Sequence, residues 1–327
     1  MKKYITLFCL ALVSLLICSC CSRDANKQRE CVNREFVVCQ FNMRFGLEND
    51  GLVLERKKLP NGKIKVVYDG SHIWEKRFPK IKAFLEYNEV DICGTQELSW
   101  FQVECFDVMK EFAYIGTPTF PENYAKKIVG ANNIILYRKD RFQLLQKGDF
   151  WLSETPEKVS NGFGANKPRN CNWGKFKDKR TGKVFYFFNT HFHHIGDKTK
   201  IESAKLFVKK VREISNGQAF ITTGDLNINE DSEGIKIIKE SGFMIDARQI
   251  CKTPLYGAWW TNNFGYTGRQ MLTYPTIPSK TPKQQKWIDW VFVSSNVEVF
   301  KYAVLAECYD GMWLSDHYPL LLKVAVK

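Results

Sequence analysis

Beyond the N-terminal run Cys18–Cys21 the sequence has no Cys-x-x-Cys pair, and it has no cysteine–histidine spacing of the kind that holds zinc. Its 11 cysteines therefore build neither a zinc module nor a dithiol redox motif. Histidine is scarce, with 5 in 327 residues. No repeat recurs and no linker divides the chain, which excludes a solenoid or a string of small modules. There is no long basic run either, although Lys and Arg outnumber Asp and Glu 48 to 35 and leave a net charge of +13. That excess attracts polyanions such as nucleic acid, phosphorylated glycans or anionic lipid without choosing among them. Nothing looks disordered: 44% apolar and 14% aromatic residues supply a core for one large domain or two modest ones.

What is present begins with Lys2 and Lys3, an apolar run from Ile5 to Ile17, and then Cys18, Ser19, Cys20 and Cys21. This is the three-part layout of a secretory signal, too short and too early for a spanning helix with a soluble remainder. The stretch LICSC resembles a bacterial lipoprotein processing site, with Cys20 favoured over Cys21 as the lipidated first residue; a plain cleaved signal or a retained anchor are the alternatives. Residues 1–19 are thus expected as signal, 20–35 as tether and 36–327 as one domain, exported and held at a membrane by its lipid. Cys39 and Cys93 fall in predicted buried strands, where a thiol acts as a small apolar group. Export permits disulfides among the remaining cysteines, but spacing assigns no pairs.

The chain is organised around Ala219–Asn229, AFITTGDLNIN. Ala219 to Thr222 read as a short apolar strand and Gly224 lets the backbone turn, so that Asp225 and Asn227 leave the strand end together. A carboxylate and an amide so placed can orient a water, although Gly-Asp-x-Asn also makes ordinary turns. Polar residues end other apolar runs in the same manner: Asn42, Glu97, His191, Asp289 and the pair Asp316–His317. Strands are expected at 36–41, 90–96, 133–137, 172–177, 184–190, 287–293, 302–307 and 320–326. Helices are expected at about 74–88, 100–112, 198–215 and 233–240. Two long irregular loops are expected at 148–172 and 258–282, with a hairpin near 64–68. Hairpin links mixed with helical crossovers predict one α/β domain of two facing sheets.

The motifs FNMRFG, GTQELSW, YRKDRF, FWLSETP, NTHFHHIG, TGDLNIN, WIDWVFV and SDHYPL resemble, in order and approximate spacing, those of the endonuclease/exonuclease/phosphatase superfamily, which includes the pancreatic-type deoxyribonucleases. The resemblance runs from about Phe36 to the end and looks closest to secreted bacterial members. It implies a four-layer α/β sandwich, two facing mixed β-sheets flanked by helices, and divalent-metal hydrolysis of a phosphate ester with Mg²⁺ or Mn²⁺. On this resemblance Asn42 and Glu97 lie on the metal side, with Asp316 as a second carboxylate there. Asp225 positions and deprotonates the attacking water, and Asn227 holds that water or a phosphate oxygen. His317 contacts phosphate, with Asp289 behind it favouring the charged ring. An unpartnered aspartate buried in WIDWV would be expensive, which argues independently that Asp289 meets a histidine or a metal. His191 donates to phosphoryl oxygens, and Arg169 clamps phosphate unless it is a plain surface arginine. Tyr137 is taken as a further substrate contact, with strand-end packing as the alternative.

Two departures qualify the resemblance. Ala131 stands where many relatives have a glutamate that steadies the first histidine, and His193 replaces an aspartate of NTHFDH. His191 is therefore expected to have lost or reorganised its support, with His193 available for phosphate contact. His72 also stands where relatives have asparagine, and a transition-metal site built on these histidines is a minor alternative. Nucleic acid is the first-choice substrate, given the charge and the aromatics Trp151, Phe163, Trp259, Trp260 and Tyr266 as stacking platforms. The alternatives are a phospholipid or sphingolipid headgroup, a sugar or inositol phosphate, or a weakly active or inactive phosphate-binding protein. A monomer is expected.

Overall fold

The structure, a computed structural model, describes residues 34–46, 53–127, 130–262, 287–309 and 311–327. The signal, Cys20, Tyr266 and most of the second predicted loop lie outside the described residues. In chain order, β1 (Phe36–Asn42) is followed by the hairpin β2 (Val53–Lys58) and β3 (Ile64–Tyr68), then α1 (Trp74–Tyr87) and β4 (Ile92–Leu98). Next come α2 (Trp100–Cys105), β5 (Phe112–Ile115), α3 (Pro121–Ala125), β6 (Asn132–Arg138), β7 (Phe142–Trp151) and β8 (Asn170–Asp178). β9 (Val184–His191), α4 (Asp197–Ser215), β10 (Phe220–Asp225) and α5 (Glu233–Glu240) lead to the two-residue strands β11 (Ile245–Asp246) and β12 (Tyr256–Gly257). β13 (Asp289–Val293), β14 (Val297–Val304), the small hairpin β15 (Cys308–Tyr309) and β16 (Met312–Trp313), and β17 (Leu320–Val326) complete the chain.

Seven strands form one mixed sheet in the order β12-β14-β17-β1-β4-β6-β5, and six form another in the order β11-β13-β10-β9-β8-β7. β1 pairs parallel with β4, and β9 with β10. Parallel neighbours need a crossover, and α1 and α4 provide it. Strict alternation along each strand then sorts the side chains into layers. Phe36, Val38, Ile92 and Ile135 face Phe185, Phe187, Ile221 and Val291 across the gap between the sheets. The opposite parity packs outward: Cys39, Phe41 and Cys93 lie with Ile81, Phe84 and Leu85 of α1, and Phe188, Phe220 and Trp290 lie with Phe207, Val211 and Ile238 of α4 and α5. The result is the four-layer arrangement of helices, sheet, sheet and helices, with Phe36–Lys327 forming one compact unit. Among the described residues no helix is long and apolar enough to cross a membrane.

Several element boundaries differ from expectation. The predicted helix 100–112 stops at Cys105, because a 3₁₀ turn at Phe106–Val108 carries Phe106 beneath α1, its ring 5.4 Å from Phe78, before β5 begins. The predicted loop 148–172 shrinks to 152–169, since β7 and β8 stay paired from Phe142–Asp178 to Trp151–Asn170. Gly148 belongs to that ladder because a Cβ there would fall 2.6 Å from the Trp173 ring. The strand expected at 302–307 is the end of the longer β14.

Candidate active site

Polarity changes in steps along the gap between the sheets. One end is aromatic, with Phe36 stacked on Phe185 at 5.3 Å and Tyr137 against Phe176 at 5.0 Å. Four residues on from Phe36 and from Phe185 the inward positions become amides. Gln40 Nε2 donates to Gln96 Oε1 at 2.7 Å, Gln96 Nε2 donates to Gln40 Oε1 at 2.9 Å and Asn189 Oδ1 at 2.6 Å, and Thr223 Oγ1 donates to Asn189 at 3.2 Å. All four are fully or almost fully buried, so this closed network satisfies groups that would otherwise be costly. The next inward residues are ionisable. In register, Asp225 lies opposite His191 on one side and opposite Asp289 on the other. Asn42 stands at the end of β1, across from them.

The backbone beyond the strands is specialised. Glu97 has φ 67°, at a point where the pairing of β4 with β6 slips a register between Thr95 and Leu98. A bulge of this kind re-aims a side chain, and here it lifts the Glu97 carboxylate out of strand parity toward Asp225. Arg44 and Asn227 also occupy the left-handed region, at φ 61° and 52°. Such conformations persist where surrounding contacts fix them. Arg77, fully buried, supplies several of those contacts by donating to Met43, Leu314 and His72 carbonyl oxygens at 2.7 to 2.9 Å, which ties the loop after β1 to the loop bearing Asp316 and His317.

Asp225 is held on both oxygens: Asn227 N–H donates to Oδ1 at 3.0 Å and Asn42 Nδ2 to Oδ2 at 3.0 Å. His191 Nε2 lies 3.4 Å and His317 Nε2 3.8 Å from Oδ2. Burial raises the Asp225 pKa to about 7; His317 opposes the rise, while Asp289 and Glu97 add to it. His317 shows the reverse balance. Burial favours its neutral ring, but Asp289, whose Oδ2 sits 2.8 Å from Nδ1, together with Asp225 and Asp316 outweighs burial and holds the ring's pKa well above the usual value. His191 is pushed well below the usual value, by burial first and by Arg169 next. The site thus pairs one cationic imidazole with one neutral imidazole.

Glu97, His191 and Asp225 present ligand atoms within 4.8 Å of one another, as do Asp225, Asp289 and His317. The donor chemistry fits a hard divalent cation. Glu97 is only half-buried and open to water, Asn42 adds an amide oxygen, and a cation beside them relieves the repulsion among Glu97, Asp225 and Asp289. Asp316 differs from expectation: Arg44 Nη1 occupies its Oδ2 at 2.8 Å and holds its pKa low against burial, so its charge is already matched.

Asn42, Glu97, His191, Asp225, Asn227, Asp289 and His317 come together in one hollow. Arg169 reaches it, with Nη1 2.8 Å from His191 Nδ1. His193 stands at its margin, bonded through Nε2 to Asn166 at 3.0 Å and stacked on His194. Tyr137 is corrected: β6 runs antiparallel to β4, so its Tyr137 end lies at the aromatic end of the gap and its Asn133 end faces the site. Of the aromatics read as platforms, Trp151 and Trp260 are buried, Phe163 is half-buried and Trp259 is exposed. Sequence reasoning missed Gln40 and Gln96, whose inward parity in apolar strands was readable. It also missed Arg44, Arg77 and Asn262, whose side-chain nitrogen lies 3.0 Å from His317 Nε2 and which nothing local in the sequence marks.

No functionally curated protein matches the chain. A solved endonuclease/exonuclease/phosphatase family protein from Bacteroides thetaiotaomicron is similar at 30% identity over 90% of this chain and 98% of its own, with a TM-score of 0.71. A mannosyl-6-phosphatase from the same species is similar at 30% identity, covering 89% of this chain and 99% of its own, TM-score 0.71. D. rerio TDP2, solved with a single-strand DNA product, shares the fold at 15% identity over 89% of this chain and 99% of its own, TM-score 0.60. The sequence itself matches the Endonuclease/Exonuclease/phosphatase family over residues 39–317, from the middle of β1 to His317. That span takes in every residue gathered in the hollow, and the chain belongs to this family of phosphate-ester hydrolases.

Proposed function

We propose that the protein is an exported, divalent-metal-dependent phosphoesterase. The observation that carries this reading is the convergence of Glu97, Asp225, Asp289, His191 and His317, from separate segments, around one hollow lined by buried hydrogen-bonded amides. A bound Mg²⁺ or Mn²⁺, held by Glu97 and Asn42, would neutralise phosphoryl charge. The chain's own residues do the rest. Asp225, fixed by Asn42 and the Asn227 N–H, orients a water and takes its proton, and a carboxylate whose pKa is raised toward neutrality is a stronger base than an ordinary one. His317, cationic on Asp289, and His191 donate to phosphoryl oxygens as charge develops there.

For the substrate we favour a sugar phosphate. Lys167 and the stacked His193 and His194 lie along one wall, where they suit a phosphate monoester dianion. The mannosyl-6-phosphatase is similar over nearly its whole length, whereas Trp151 and Trp260, two of the aromatics expected to stack bases, are buried. Nucleic acid is the second reading, supported by the net charge of +13 and by exposed Arg56, Lys57, Lys58, Lys63 and Lys65 on the β2–β3 hairpin. Export and a lipid tether at Cys20 belong to the proposal on the strength of the N-terminal sequence.

The test is one panel on residues 22–327 with Mg²⁺ or Mn²⁺: mannose 6-phosphate, inositol phosphates, p-nitrophenyl phosphate, a chromogenic bis-ester, plasmid DNA, RNA and sphingomyelin. Asp225→Ala is the control. Metal-dependent release of phosphate from a monoester, absent in the variant, is the expected result. Equal rates for both proteins on every substrate would overturn the enzyme reading, and cleavage of DNA or RNA alone would replace the substrate.

A further inference from the structure

His191 ends β9 in parallel register with Asp225, and its ring lies between two nitrogen groups. Arg169 Nη1 is 2.8 Å from Nδ1, and Asn227 Nδ2 is 3.1 Å from Nε2. A neutral imidazole carries one proton and one lone pair, so these neighbours make different demands on it. A guanidinium has five N–H donors, no acceptor and a permanent charge, so the nitrogen facing Arg169 must be the one bearing the lone pair. Asn227 has alternatives. Its amide nitrogen also donates to the Phe192 carbonyl oxygen at 3.2 Å, so it is satisfied without a bond to Nε2, and as a neutral amide it is a weaker donor than the guanidinium. The guanidinium therefore decides and the amide adapts. With Nδ1 accepting, the ring proton sits on Nε2, which faces Asp225 Oδ2 at 3.4 Å.

The contact is anchored on both sides. The Arg169 carbonyl accepts from Leu152 N–H at 2.8 Å, and the side chain is buried; among the described residues its Nε has no hydrogen-bond partner. A buried arginine that leaves one donor unmet while spending another on a histidine is placed for that contact. Ala131, just before β6, brings no carboxylate to the ring, so the support expected for His191 is a donor in place of an acceptor.

We propose that Arg169 is the positioning residue that holds His191 as the Nε2–H tautomer, so that the ring faces the site as a hydrogen-bond donor and has no lone pair to give a metal ion there. The use of that donor rests on the phosphoesterase reading, whereas the tautomer does not. The metal then belongs to Glu97 and Asn42, with His191 on the substrate side.

The experiment is a long-range ¹H–¹⁵N correlation on histidine-labelled, metal-free protein at pH 7, which reads both ring nitrogens. The expected wild-type spectrum has Nε2 protonated and Nδ1 bare. Arg169→Lys keeps a donor and should keep that pattern, with turnover of p-nitrophenyl phosphate within about tenfold of wild type. Arg169→Met removes the donor, should move the proton toward Nδ1 as Asn227 takes over, and should lower turnover by about 10²–10³-fold, the range for losing one oriented donor to a developing oxyanion. Addition of Zn²⁺ should leave the wild-type His191 nitrogens uncoordinated. An Nδ1–H or doubly protonated ring in the wild type, direct Zn²⁺ ligation by Nε2, or an unchanged ring in Arg169→Met would overturn the assignment. If Arg169→Met does not fold, the wild-type and Arg169→Lys spectra decide alone. Predicted ring states without hydrolysis of any ester would sink the phosphoesterase reading and leave the tautomer standing.

Discussion

Asp289→Asn isolates the charge behind His317. Asp289 is buried, accepting through Oδ2 from His317 Nδ1 at 2.8 Å and through Oδ1 from Gln40 Nε2 at 3.1 Å, and asparagine fits the same space with one oxygen that still accepts from Nδ1–H, while its NH2 faces the Gln40 NH2 and loses that bond. What is removed at the ring is the anion. Unit charges about 4 Å apart at an effective dielectric of about 20 attract by about 4 kcal/mol, which corresponds to about 10³-fold in rate if His317 acts as a cation in the transition state. Asp225 and Asp316 remain near the ring and offset part of this, so a fall in kcat of about 10²–10³-fold is expected. The pH dependence carries the sign. In the wild type the His317 pKa lies above its usual value, so the ring stays charged through neutral pH. In the variant, burial meets less opposition, the pKa falls, and the ring is charged only in more acidic solution. Single-turnover rates on p-nitrophenyl phosphate at saturating Mg²⁺ should therefore show a wild-type-to-variant ratio that is smaller at pH 5.5 than at pH 8. A loss under fivefold, or a ratio independent of pH, would refute a cationic His317.

The other predictions concern the carboxylates and the N-terminus. Asp225→Ala should abolish ester hydrolysis without lowering Tm in calorimetry, because it removes a buried carboxylate crowded by Asp289 and Glu97. Glu97→Gln should raise the Mg²⁺ concentration for half-maximal activity by about tenfold or more, read by titration after EDTA treatment. Asp178→Asn removes an anion 2.9 Å from buried Arg141 and should cost about 3 kcal/mol with a Tm drop of several degrees; since the pair lies at the aromatic end of the gap, kcat at 25 °C should be unchanged. Cys20→Ser should abolish incorporation of labelled palmitate and release the protein from the membrane fraction, and membrane retention in the variant would count against the tether.

How much of this was readable before the structure depended on strand arithmetic. Residues that end parallel or centrally paired strands, such as Asn42, His191 and Asp225, are delivered to one edge whatever the loops do, and their types at run ends made the site visible in the sequence. Tyr137 misled because it also ends an apolar run, but β6 runs the other way, and direction is a property of pairing that no local stretch displays. Glu97 was found for an incomplete reason: strand parity alone does not aim it at Asp225, and the register slip with its left-handed backbone does. The loop 148–172 was overestimated because Gly148 looks like punctuation until Trp173 is seen lying across it.

Arg169 shows where such arithmetic stops. Its residue type allowed a phosphate clamp or a surface charge, and both readings treat arginine as something offered to solvent or substrate. The structure turns one of its donors on a histidine, and because a guanidinium donates and never accepts, that single 2.8 Å contact determines where His191 keeps its proton. The absence of a carboxylate at Ala131 then ceases to be a defect. A ring fed by a donor becomes a neutral N–H group, a ring fed by Asp289 becomes a cation, and one hollow obtains two histidines of different character from two opposite partners.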